Sequence, residues 1–146
     1  AQASRGRESA PSAAHQREEL SPVAQQFFDA ESAFANDKFD EAIAGFKAVL
    51  AGTDETEYTF KAQVQLGRCY YESGDYGQTI RHFSQVLKEI PRHPQMPDIL
   101  FHIGASYLES GDAEKGTAFL KKARAGATDE PSLRRKIDKA LSKAEK

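Results

Sequence analysis

A helical pattern recurs three times along this chain, at a constant period of 37 residues. The aligned trios are Ala30, Gly67 and Gly104; Ala33, Tyr70 and Tyr107; and Phe46, Phe83 and Leu120. A period of about 20 to 50 residues is typical of solenoids, in which a unit too thin to bury its own apolar face stacks on the next. The repeat therefore predicts an array of similar units.

Each copy is predicted to be two helices joined by a tight turn. In the second copy, apolar residues recur at helical spacing on both sides of the segment Glu72-Ser73-Gly74-Asp75. Gly74 is suited to the left-handed conformation that ends a helix, and Asp75 is suited to cap the next one. The pattern predicts antiparallel helical hairpins.

The composition along the chain divides it into three parts. Residues 1–21 have almost no large apolar side chain before Leu20, so we expect a disordered segment or a linker. Ser21 and Pro22 then provide an N-cap and a first helical residue. Residues 22–128 hold the three units, at about 22–55, 57–91 and 96–126, and residues 129–146 hold a seventh, capping helix.

The second copy resembles the tetratricopeptide repeat (TPR). The matching residues are Leu66-Gly67 and Tyr70 on the first helix, Gly74-Asp75-Tyr76 at the turn, Phe83 and Val86-Leu87 on the second helix, and Pro91 after it. The resemblance implies an all-α, right-handed α-solenoid of three TPR hairpins plus the C-terminal capping helix.

The outer copies depart from this pattern. The first lacks the Gly-Asp turn and has Ala33 where an aromatic residue is usual, and the third has Ala113 in place of the turn aromatic and Arg124 in place of Leu87. Such departures suit end units, which have one unpaired side.

The connection from Ile90 to Asp98, with prolines at 91, 94 and 97, is similar to that of the 37-residue TPR units of bacterial envelope proteins. Examples are the Tol-Pal-associated coordinator of peptidoglycan synthesis and the outer-membrane assembly lipoproteins. This resemblance implies a periplasmic location, whereas the single cysteine is equally compatible with the cytoplasm.

TPR hairpins generally bind partners with their first helices, which line the concave side. The helical register places these side chains there: Phe27, Glu31, Phe34, Lys61, Val64, Arg68, Tyr71, Asp98, Phe101, Ala105 and Leu108. We expect this aromatic face to suit an apolar helix or extended peptide better than a bare carboxylate terminus. Arg68 and Tyr71 are the preferred contacts. The alternative is that Phe27, Phe34 and Phe101 pack against the N-terminal segment or against their own neighbours, since aromatic residues at helical spacing are usually part of a core.

Other chemistry has little support in the sequence. His15, His82, His93 and His102 form no recognised metal-ligand spacing, and Cys69 lies on an apolar stripe where a buried thiol is the ordinary interpretation. No catalytic motif is visible, so we expect no enzyme activity, cofactor or metal.

Charge restricts the partners further. A net charge of −2 disfavours nucleic acid, which requires a surplus of Lys and Arg on one face. The basic side of the seventh helix is interpreted as a solvated face, with an acidic partner or an anionic membrane as alternatives. The sequence thus predicts a protein-interaction scaffold for a peptide or helix, with a self-associating homo-oligomer as the second hypothesis.

Overall fold

The computed structural model describes residues 21–52 and 57–145, and every regular element in that part of the chain is an α-helix. In chain order the helices are α1 (Pro22–Ala35), α2 (Phe39–Ala51), α3 (Glu57–Glu72), α4 (Tyr76–Glu89), α5 (Met96–Glu109), α6 (Ala113–Gly126) and α7 (Pro131–Ala144). The predicted all-helical solenoid is confirmed. Residues 1–20, which carry most of the predicted N-terminal segment, lie outside the described residues.

The helices pair as three hairpins, α1 with α2, α3 with α4 and α5 with α6, and α7 packs on α5 and α6. Helix α1 begins as the sequence predicts, because Ser21 Oγ accepts a hydrogen bond from the Ala24 N–H at 3.2 Å and Pro22 follows as the first helical residue. Among the described helices, none combines the length and the apolar character that crossing a bilayer requires.

The same turn closes all three hairpins. The residue in the left-handed region is Asp37 in the first turn (φ 59°), Gly74 in the second (φ 84°) and Gly111 in the third (φ 90°). In each turn, the N–H of the residue that follows donates a hydrogen bond to the carbonyl oxygen five residues earlier, at 2.8 to 2.9 Å. These bonds run from Lys38 to Ala33, from Asp75 to Tyr70 and from Asp112 to Tyr107. The first hairpin therefore forms the repeat's turn without its glycine.

The core consists of three apolar clusters, each between a hairpin and the following first helix. At the centre of each lies one of the residues aligned by the period, Phe46, Phe83 and Leu120, and all three are completely buried. The space between paired helices is narrow, because a Cβ atom on Gly67 would overlap the ring of Phe83. Stacking of hairpins, rather than any one hairpin, encloses the apolar residues.

Candidate protein-binding groove

The first helices of the hairpins form one row. Helix α1 contacts α3, α3 contacts α5, and α5 contacts α7, whereas α2, α4 and α6 make their main contacts with neighbouring members of that row. Helix α7 thus takes the place that the first helix of a fourth hairpin would occupy. The row presents a continuous side on which α3, α5 and α7 all contribute side chains.

Two adjoining cavities lie along this side, and together we call them the C-terminal groove. The larger, of about 510 Å³, is lined mainly by Tyr71, Phe101, Ala105, Leu108, Glu109, Lys136, Lys139, Ala140, Lys143 and Ala144. The smaller, of about 280 Å³, is lined by Arg68, Tyr71, Glu72, Asp98, Phe101, His102 and Lys136. The groove therefore has an apolar floor from α3 and α5 and a basic wall from α7.

The structure brings six of the sequence-predicted residues together in this groove. They are Arg68, Tyr71, Asp98, Phe101, Ala105 and Leu108. Phe101 and Leu108 are half-buried and rest against the apolar cluster formed by α5, α6 and α7. These side chains are held by the core on one side and open to an occupant on the other.

Two predicted contact residues are instead part of the core, which corrects their assignment. Phe27 is 3% exposed because its ring packs against Phe46 and Tyr58, with centroids 5.7 and 5.4 Å away. Val64 is 2% exposed because it lies in the cluster that α3 forms with α4 and α5. In both cases a neighbouring helix covers the side that the helical register had assigned to the open face.

The remaining three predicted residues lie on α1 and α3, outside the groove. Glu31 accepts a hydrogen bond from the Gln65 side-chain amide, and the Arg68 guanidinium lies 5.4 Å from the centroid of the Phe34 ring. Lys61 lies next to Glu57, with Nζ 3.7 Å from Oε2. The contacts of Glu31 and Phe34 link α1 to α3, the helix that carries Arg68, whereas the Lys61 contact lies within α3.

From the sequence, the basic side of α7 is interpreted as a solvated face, with contact with an acidic partner or a membrane only as alternatives. Lys136, Lys139 and Lys143 are exposed and lie three and four residues apart, so they share one side of α7 next to the buried Leu133 and Ile137. Their spacing was visible in the sequence. The packing direction of α7, which turns this side toward the groove, was not.

His102 lies below the smaller cavity and is 7% exposed. Its Nδ1–H donates to the Asp98 carbonyl oxygen at 2.8 Å, and its ring contacts those of Tyr71 and Phe101. Burial lowers the pKa of His102, although the nearby Asp98 carboxylate opposes this. Burial likewise raises the pKa of Tyr71, with a further contribution from Glu109. Both rings are therefore neutral supports of the groove near pH 7.

The cysteine and the remaining described histidines are held by contacts within the fold. Cys69 is completely buried, as predicted, and burial raises the pKa of its thiol to about 12. His82 donates from Nε2 to the Gln63 carbonyl oxygen at 2.6 Å, and His93 lies between the Gln63 side chain and the Gln95 N–H. Within residues 21–52 and 57–145, no three His, Cys, Asp or Glu side chains are grouped where they could hold a metal ion. His15 lies outside the described residues.

The sequence matches a known family over most of its length. Residues 20–140 match YfiO, a family described as an outer membrane lipoprotein. The chain belongs to the YfiO family. This YfiO-family chain has the fold of solved TPR domains, as its second repeat indicated. No curated protein matches it.

Solved structures share the fold at low sequence identity. PcrH from Pseudomonas aeruginosa is 21% identical, with a TM-score of 0.74, over 87% of this chain and 96% of PcrH. The chaperone SycD from Yersinia enterocolitica, in complex with a peptide of the translocator YopD, is 19% identical, with a TM-score of 0.71, over 84% and 92% of the two chains. PcrH in complex with the chaperone-binding region of PopB is 22% identical, with a TM-score of 0.68, over 84% and 96%.

Proposed function

We propose that the protein is a non-enzymatic scaffold that holds a peptide or helix of a partner protein in the C-terminal groove. The observation that carries this proposal is the apolar floor of the groove, where Tyr71, Phe101 and Leu108 from two adjacent first helices line a common cavity of about 510 Å³. A recess of this size suits a few apolar side chains of a polypeptide.

Two of the similar folds support this proposal. SycD binds a peptide of YopD, and PcrH binds a region of PopB. The family description supports a place in a bacterial envelope complex, on the periplasmic side of the outer membrane. Arg68 and Tyr71 remain the preferred contacts, because both line the smaller cavity, where the groove continues along α3.

Site-specific photo-crosslinking in cells tests the proposal. A photoreactive amino acid replaces Glu109, an exposed residue that lines the larger cavity, or in the control Gln85, which is exposed on α4. We expect a discrete product containing a second protein from position 109 and none from position 85. The product should disappear when Arg68→Glu and Tyr71→Ala are added, with helical circular dichroism unchanged. Equal products from both positions, or a product insensitive to the two substitutions, would contradict the proposal.

Self-association is the second candidate function, and Phe28 favours it. This residue is the large apolar side chain most exposed in the described part of the chain, at 41%, and its ring packs edge-on against Phe27 of α1 and Tyr58 of α3. In that case light scattering would give the mass of an oligomer, and Phe28→Ser would return it to 16.1 kDa. A monomer at every concentration leaves the scaffold as the function.

A further inference from the structure

The basic wall gives the larger cavity an excess of positive charge. Lys136, Lys139 and Lys143 line it together with a single carboxylate, Glu109. Glu109 already lies near one of the lysines, with Oε1 3.9 Å from Lys143 Nζ, and both side chains are well exposed, so this pair holds Lys143 weakly. Among the described residues, no carboxylate lies within ion-pair distance of Lys136 or Lys139.

The one carboxylate on α7 that pairs with a basic residue faces away from the larger cavity. Asp138, on the opposite side of α7, pairs with Arg124 of α6, with Oδ1 2.7 Å from Nε. In the smaller cavity the positive and negative side chains are equal in number, because Glu72 and Asp98 line it together with Arg68 and Lys136. Within the groove, the excess of positive charge therefore lies in the larger cavity, directly beside its apolar floor.

We infer that the occupant of the larger cavity is an acidic segment of a partner protein. Its apolar side chains would rest on Phe101, Ala105 and Leu108, and its carboxylates would face the lysines of α7. This inference depends on the proposed function and adds the charge of the ligand to it. The lysines lie beside a recessed floor, so an anionic bilayer would reach the charges without covering the apolar residues.

Selection from a random 12-residue peptide library, with the full chain as bait, tests the charge preference. We expect the enriched peptides to combine Asp or Glu with apolar residues, and to lose affinity at least about tenfold when every carboxylate is replaced by its amide. Lys136→Glu with Lys139→Glu should weaken binding by a similar factor, since two attractions become repulsions. Both side chains are exposed, so helical circular dichroism should not change.

Lys47→Glu with Lys88→Glu is the matched control, because it makes the same change of net charge on exposed residues of α2 and α4. This control should change the affinity for the enriched peptides by less than about twofold. Photo-crosslinking from position 109 shows separately whether an enriched peptide occupies the groove, whatever its charge.

Three results would overturn the inference. Neutral or basic peptides that crosslink from position 109 would refute an acidic ligand and leave the scaffold function intact. Failure of every enriched peptide to crosslink there would refute both. In the third case, the selection enriches no acidic peptides, and the chain sediments with phosphatidylglycerol vesicles unless it carries Lys136→Glu with Lys139→Glu. That combination would assign the lysines to a lipid surface.

Discussion

Gly67 shows how closely the two helices of a hairpin approach each other. In the third hairpin, a Cβ atom on Gly104 would lie 2.9 Å from both the Gly116 carbonyl oxygen and Leu120 Cγ. In the first hairpin the small residue lies on the second helix, since a Cβ atom on Gly45 would lie 2.7 Å from that of Ala30. Each hairpin thus requires a missing side chain at its crossing point, although the helix that provides it varies.

Gly67→Ala should lower the free energy of unfolding by about 1 to 3 kcal/mol, because the added methyl group displaces the buried Phe83 ring. Gly77→Ala is the control, since Gly77 lies within α4 and a Cβ atom there would meet nothing within 4 Å. This control substitution should raise the free energy of unfolding by about 0.5 to 1 kcal/mol, because alanine has a higher helix propensity than glycine. Urea unfolding measures both, and a stabilising Gly67→Ala would mean that the helix contact is looser than described.

At the scale of the elements, the turns differ in how they begin the second helix. Asp75 accepts a hydrogen bond from the Gln78 N–H at 3.2 Å, and Asp112 accepts one from the Lys115 N–H at 3.1 Å. Lys38, at the equivalent position of the first hairpin, makes no side-chain cap. The first hairpin therefore lacks one stabilising contact that the other two have.

Asp75→Ala and Asp112→Ala should each lower the free energy of unfolding by about 1 kcal/mol, through loss of the N-cap. Lys38→Asn should raise it by about 0.5 to 1 kcal/mol, because an amide oxygen would accept from the free N–H at the start of α2. Thermal unfolding followed by circular dichroism gives the three values. If the Lys38→Asn variant were less stable than the unmodified protein, Lys38 would have a stabilising role other than capping α2.

The sequence was sufficient for the helices and turns because their causes are local. The spacing of Tyr70, Gly74 and Asp75 within a few residues specifies a helix end, a turn and a cap. It was insufficient for the faces of Phe27 and Val64, because each is covered by residues of other helices whose packing direction the register of its own helix does not show. The basic side of α7 was visible in the sequence, but only the packing of α7 on α5 and α6 shows that this side faces the groove.

For the whole molecule, three histidines make stability depend on pH. Burial lowers the pKa of His82, His93 and His102 in the folded state. His93 also accepts the Gln95 N–H at Nδ1, so protonation of that nitrogen would break the hydrogen bond. The unfolded chain, in which histidine has a pKa of about 6.5, therefore binds protons that the folded chain does not.

The stabilising effect of these neutral rings should be complete above pH 6.5 and should decline as the pH falls from 6.5 toward the lowered folded pKa values. Urea unfolding at pH 7.5, 6.5 and 5.5 should give a progressively lower free energy of unfolding. His82→Gln should make the decline shallower, because one of the three differential protonations is removed. Stability that is constant or higher at pH 5.5 would contradict the burial of these rings as neutral bases.

The chain contains a single cysteine, and Cys69 lies between α1, α2 and α3, where the first two hairpins meet. An oxidant or alkylating agent reaches its sulfur only when those hairpins come apart. The rate of thiol modification in the native protein therefore records how often the array opens at its first junction, without any added label.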